Sequence, residues 1–202
     1  MQDVLAPFRD NVDGHNRNVT EHRIQMSPQE ISEPPRGPNV TSFELITLDK
    51  LESPAVIAGN TYWQNLRGTR RFPARQDMHP RDFASLLRDM LLVQVIDSGA
   101  DFKFRITGDA HVQAYAIPFQ GRRLNEFVEM APAFCFSLRS VFAHVAQTGS
   151  PAALRGRMGT DFPNANYAYC ENIFLPLGVE DTVDHILGFS TYLSRDFEKN
   201  EL

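Results

Sequence analysis

Residues 155–193, RGRMGTDFPNANYAYCENIFLPLGVEDTVDHILGFSTYL, read as three consecutive strands with a turn at each joint. Within them Tyr167, Tyr169, Glu171, Ile173 and Leu175 alternate with Ala168, Cys170, Asn172, Phe174 and Pro176. That period of two is what a half-buried antiparallel strand requires. A polar connector over residues 178–184 leads to a further strand over 186–193.

Upstream of this hairpin the pattern changes to helical. Over residues 133–147, Phe134, Leu138, Val141, Phe142 and Val145 line one stripe, which predicts the longest helix of the chain. Two shorter helices are expected over residues 109–116 and 124–130. Before them, residues 90–96 form an apolar run rich in Leu and Val, as a central strand would. After a turn at Asp97-Ser98-Gly99-Ala100, Phe102, Phe104 and Ile106 alternate with Lys103, Arg105 and Thr107 in a half-exposed strand.

Ser53-Pro54 is a helix-start signal, serine as N-cap and proline at the first helical position. Val56, Ile57, Thr61, Trp63 and Leu66 approximate its apolar stripe, and Gly68 is its stop. Trp63, the only tryptophan, is expected to pack this helix onto the main body. Pro80 opens another short helix in which Phe83, Leu86 and Leu87 share a face. Residues 1–41, dominated by Asn, Asp, Arg and Pro, read as a flexible tail, so the folded domain is expected over residues 42–202.

The 202 residues bound the chain to one domain and an appendage. A net charge of −5 argues against general nucleic-acid affinity. The one basic cluster, Arg67, Arg70, Arg71 and Arg75, is expected to pair with acidic neighbours such as Asp77 and Asp82 rather than with phosphates. Cys135 and Cys170 fit no zinc spacing and are too few for a disulfide scaffold, so a reduced pair is expected. No apolar segment near the start resembles a signal peptide, and the most apolar helix carries Arg139 and His144. The expectation is a soluble, cytoplasmic protein that does not engage a membrane.

Catalytic signatures are missing from the sequence: no Gly-x-Ser-x-Gly elbow, no phosphate-binding loop, no His-Glu-x-x-His and no dinucleotide fingerprint. Asp77-Met78-His79 and Asp184-His185 bring acid and imidazole close in sequence, but neighbours on a strand or loop are expected to point apart. The reading is therefore of a non-enzyme with no metal site. His111 and His144 are the histidines placed to be considered as haem ligands, with nothing but residue type behind them.

The order of elements resembles the PAS fold, an α+β arrangement in which a five-stranded antiparallel sheet carries helices on one face and follows an N-terminal helix. Local motifs extend the likeness. YWQNLRG at 62–68 and RFPARQDMHP at 71–80 resemble the opening segment of small stand-alone bacterial PAS proteins. FKFRITG at 102–108 is similar to their strand leading into the first short helix, Gly121-Arg122 to their Thr-Gly-Arg turn, and ENIFLPL with VDHILG to their closing hairpin. His79, Asp109 and Gln120 depart from that pattern, the last two near the pocket.

The resemblance implies a sensory or interaction domain, one that holds a small molecule, haem, flavin or metabolite between sheet and helices, or that acts as a ligandless dimerisation or docking module. It names no cofactor. A flavin photosensor would need a cysteine in an Asn-Cys-Arg-type motif, which neither Cys135 nor Cys170 supplies. For a small-molecule site, Phe104, Tyr115 and Phe119 would be walls, and His111, Arg122 and Asn172 polar contacts, Arg122 suiting a carboxylate or phosphate. The sensor reading expects ligand occupancy to shift the helix over residues 53–66 and through it a homodimer or signalling-partner contact. It also expects an open pocket; one filled by side chains would count against it. The alternative is a ligandless module that docks on a signalling partner through its sheet face.

Overall fold

The computed structural model describes residues 42–157, 161–167 and 169–193; the tail expected over residues 1–41 lies outside them. The closing hairpin is the spine of the sheet. Strand β5, Tyr169–Val179, pairs antiparallel with strand β6, Thr182–Leu193, from Tyr169 opposite Leu193 to Val179 opposite Thr182. The connector is therefore shorter than residues 178–184. Only Glu180 and Asp181 turn the chain, with Glu180 at φ 55°, a conformation that a primed two-residue turn needs and that Gly or Asn would have advertised.

On its other side β5 pairs with β4, Ala152–Arg157, and β4 pairs with β1, Ser42–Ile46. β6 pairs with β2, Met90–Ile96, which pairs with β3, Asp101–Thr107. The order is β1-β4-β5-β6-β2-β3, antiparallel throughout. Five of these strands form the expected sheet; β1 is a sixth, added at one edge.

Helices α2, Asp109–Tyr115, and α3, Pro132–Thr148, lie on one face. The α3 stripe is buried as its spacing predicts, through Phe134, Leu138, Val141, Phe142 and Val145. Its first turn is capped from a distance: Asp161 Oδ2 accepts from the amides of Ala133 and Phe134 at 2.8 and 3.2 Å. Two predicted helices are only 3₁₀ turns, Ala84–Leu86 and Leu124–Phe127.

Helix α1, Pro54–Arg67, begins at Ser53-Pro54 and stops at Gly68 as its sequence signals indicate. It covers the opposite face of the sheet. Its glycine, Gly59, is where helix and sheet approach most closely, because a Cβ there would overlap the Phe189 ring of β6. Trp63 is 1% exposed and donates its indole N–H to the Pro176 carbonyl of β5 at 2.8 Å. With Phe72, Met78 and Phe83 also buried beside it, this layer explains why β5 is buried on both faces along Cys170–Gly178, not half-exposed as its alternation suggested.

Candidate functional site

Because successive residues of a strand point to opposite faces, Cys170, Asn172 and Phe174 of β5, with Ser190 and Tyr192 of β6, face α2 and α3. Asn172 lies directly opposite Ser190, and Cys170 opposite Tyr192. Between these side chains and the helices is a small cavity. Five of the six predicted residues, Phe104, His111, Tyr115, Phe119 and Asn172, line it.

Arg122 does not. Its guanidinium lies 4.1 Å over the Phe127 ring and its Nε is 3.1 Å from Glu126 Oε2, on the outer side of the cluster. The turn over residues 121–123 points the long side chain outward while its backbone joins β3. Ser190, Tyr192 and Phe134 line the cavity and were not singled out from sequence. The signal for the first two was available, since a closing hairpin with Asn172 inward must turn its facing partner inward too.

The cavity is about 20 Å³, room for about one water molecule. Aromatic rings fill the rest. Phe119 lies 5.2 Å from Phe104 and 5.3 Å from Tyr115, and Tyr115 lies 5.1 Å from Phe162 and 5.8 Å from Tyr192, centroid to centroid. Such tilted and edge-to-face spacing is that of a packed aromatic core. In this conformation the six predicted residues do not surround a ligand-sized space.

The polar groups at the cavity are nevertheless organised. His111, 4% exposed, has Nε2 3.3 Å from the Asp89 carbonyl and Nδ1 2.8 Å from the Tyr192 hydroxyl. A carbonyl only accepts, so Nε2 carries the proton and Nδ1 accepts from Tyr192. Burial lowers the imidazole to about pKa 4, against the smaller pull of the Asp89 and Met90 carbonyls, so it is neutral near pH 7. Asn172 Nδ2 donates to Cys170 Sγ at 3.1 Å. Burial also pushes the phenols of Tyr115, Tyr167 and Tyr192 far above the ordinary tyrosine value, which keeps all three as neutral hydrogen-bonding groups.

Beyond Tyr192 an open cleft of about 330 Å³ runs along α2. Tyr115, Tyr192 and His111 stand around the inner cavity, while Tyr192 also borders the cleft together with Tyr167. The two spaces thus share one wall.

Across the sheet, the residue before Asn172 performs a different task. Glu171, 3% exposed, accepts from the Ser53 amide at 2.8 Å and the Glu52 amide at 3.1 Å, and binds Arg155 Nη2 at 2.8 Å. The N-terminus of α1 is therefore held by a β5 carboxylate, while the Ser53 side chain makes no cap bond. Burial alone would raise the Glu171 carboxyl; the Ser53 amide, Arg155 and the Glu52 amide outweigh it and hold it below the ordinary value. Arg155 extends the clasp to the Lys50 carbonyl at 2.7 Å and to Glu52 at 2.9 Å.

Two of the four clustered arginines pair with carboxylates, Arg70 with Asp77 at 2.7 Å and Arg71 with Asp181 at 3.0 Å. Asp82 is not among these partners. Asp184 and His185, expected to point apart, meet at 2.9 Å near the hairpin turn. His144 is exposed on α3. Cys135 and Cys170 are buried and form no disulfide. Neither a haem nor a flavin fits the inner cavity, because its volume is that of a water molecule and both His111 nitrogens are engaged. Among the described residues no group of three or more His, Cys, Asp or Glu is placed to hold a metal, and no helix is long and apolar enough to cross a membrane.

Comparison with known proteins places this arrangement. A solved structure of an RNA-binding light-oxygen-voltage receptor is similar at 14% identity and a TM-score of 0.38, the match covering 83% of this chain and 39% of that one. This chain thus spans less than half the length of that receptor. No curated protein matches the sequence. The PAS domain family model matches residues 51–191, from just before α1 to the end of β6, and the chain belongs to the PAS domain family.

Proposed function

We propose that this domain senses a small molecule and passes its occupancy across the sheet to α1. Membership of the PAS family makes the chain a sensory or signalling domain. The observation that carries the finer reading is the back-to-back pair on β5: Asn172 faces the cavity, and Glu171, its neighbour on the opposite face, holds the first amides of α1. A shift of β5 by a fraction of an ångström changes both environments together, since one backbone carries them. β6 repeats the arrangement, with Ser190 and Tyr192 toward the cavity and Phe189 against Gly59 of α1. The moved helix then alters a contact with a second copy or with a signalling partner.

Trp63 is a built-in reporter of this relay, being the sole tryptophan, on α1, and bonded to β5. Native against denaturing mass spectrometry of the freshly purified chain tests for a retained molecule. Stripping that molecule and adding it back should shift Trp63 emission and change hydrogen exchange at the amides of residues 52–57. Unchanged emission and exchange on saturation would overturn the relay.

A second reading is favoured by one observation, the filled inner cavity. A ligandless module docking on a signalling partner needs no ligand space. Its docking surface would be α1 or the sheet edges, because α1 occupies the sheet face that the sequence reading assigned to the partner. A bare chain in native spectra, together with capture of a partner lost on Trp63→Ala, would favour it.

A further inference from the structure

We infer that the cleft between α2, the approach to β2 and the end of β6 is the ligand site, and that it takes a small zwitterion of the α-amino-acid class. The inference rests on the sensor reading above and moves its binding site from the aromatic cavity to the neighbouring cleft. The space is of ligand size: about 330 Å³, within the range of about 300–1,000 Å³ usual for small-molecule pockets. It exists because Ala110 and Ala114, one turn apart on α2, present only methyl groups to it.

The charges lining it define the chemistry. Arg88 and Asp89 are adjacent in the chain, and neither side chain forms an ion pair with a described residue. Their backbone is fixed. The Arg88 carbonyl accepts from Ala110 N and the Asp89 carbonyl from Ser190 N, both at 3.0 Å, and the latter also from His111. Both residues thus border the cleft on a fixed backbone, without an ion pair to a described residue. A simple acid would answer Arg88 and leave Asp89 beside an anion; a simple amine would do the reverse. A molecule with carboxylate and ammonium on one carbon answers both.

The Tyr167 phenol, at the border of the cleft, is engaged with the Tyr115 hydroxyl, and Thr191, between Ser190 and Tyr192 on β6, turns its side chain toward α1. Tyr192, the wall shared with the inner cavity, bonds to His111, so a ligand in the cleft bears on β6 directly.

The test uses the full chain and calorimetric titration with each of the twenty α-amino acids. Any that binds is compared with its des-amino acid and its decarboxylated amine. At least one amino acid should bind, with both one-charge analogues weaker by about tenfold or more. Asp89→Asn and Arg88→Gln should each weaken it by a similar factor, and Ala114→Leu, which fills the cleft, should abolish it. Far-UV circular dichroism of each variant establishes that it folds, and the two charge variants, whose backbones are unchanged, stand if Ala114→Leu does not. Binding by no amino acid, equal binding of an analogue, or full binding by folded Ala114→Leu would overturn the assignment. Trp63 emission separates the two levels. Amino-acid binding without a Trp63 response leaves the cleft assignment and removes the relay. A different retained molecule that moves Trp63 equally in folded Ala114→Leu leaves the relay and removes the cleft.

Discussion

The two faces of the central hairpin are built from the same two strands to opposite ends. Toward α1, Ile173, Leu175, Leu187 and Phe189 are fully buried hydrocarbon, and charge enters only at the margin, where Glu171 clasps the start of the helix. Toward α2 and α3, the same strands present Cys170, Asn172, Ser190 and Tyr192 to a buried histidine. Hydrocarbon packing dominates the first face, its polar bonds being those of the Trp63 indole and of the Glu171 clasp. The polar face costs desolvation and must be fully satisfied to break even. In the proposed sensor its hydroxyls, amide and imidazole would be the responsive side, and α1 the layer that reads it.

That contrast can be broken most strongly on the apolar side. Phe189→Ala empties the contact with Gly59 and should lower unfolding stability by about 3–5 kcal/mol, measured by denaturant titration. Next is pH. His111 has its folded pKa depressed to about 4, so the unfolded chain binds the proton more readily between about pH 6.5 and 4. Its stabilisation is complete above pH 6.5 and is lost as pH falls through that window. At about 1.4 kcal/mol per unit the loss amounts to about 3 kcal/mol. His111→Gln should remove that slope from the stability profile, and a variant with the wild-type slope would contradict it.

Glu171→Gln keeps the size of the clasp but removes its charge. It should cost about 2 kcal/mol and raise exchange at the first amides of α1 while sparing the centre of α3. An equal rise in both helices would mean that the clasp serves the whole core and not α1. The smallest effect belongs to Arg122→Ala, which should leave small-molecule binding unaltered. A loss of affinity there would return Arg122 to the site.

Much of this contrast was legible in the sequence. β2 spans the apolar run at 90–96 residue for residue, and α3 exceeds its predicted span by one residue at each end, because long apolar periods are robust to context. Phe104, His111, Tyr115, Phe119 and Asn172 converge because strand alternation and helix facing follow from local pattern. What was not legible depends on partners distant in sequence. The alternation along β5 looked half-buried because Glu171 and Asn172 are polar; α1 and a salt bridge bury one, a cysteine and the aromatic cluster the other. Arg122 was chosen by residue type, and its direction is set by the Phe127 ring. β1, SFELI, carries too short a pattern to announce a strand, and Thr191 and Arg88 gave no sign of the cleft because its space comes from two alanines.

The sixth strand and the turn at Arg122 have one consequence in common. A five-stranded sheet would present β4 and β3 as open edges, rows of unpaired amides and carbonyls that invite another chain to add on. β1 covers β4 with five residues that include Glu44 and becomes the outer strand in its place. At the second, Gly121 N donates to the Phe104 carbonyl at 2.7 Å and Phe104 N to the Arg122 carbonyl at 3.0 Å, so this short turn occupies the middle of β3. Arg122 thus works through its peptide group and not its guanidinium. The sheet's two edges are thus a five-residue strand carrying the charged Glu44 and a strand occupied in its middle by the turn, both of which discourage edge-to-edge aggregation.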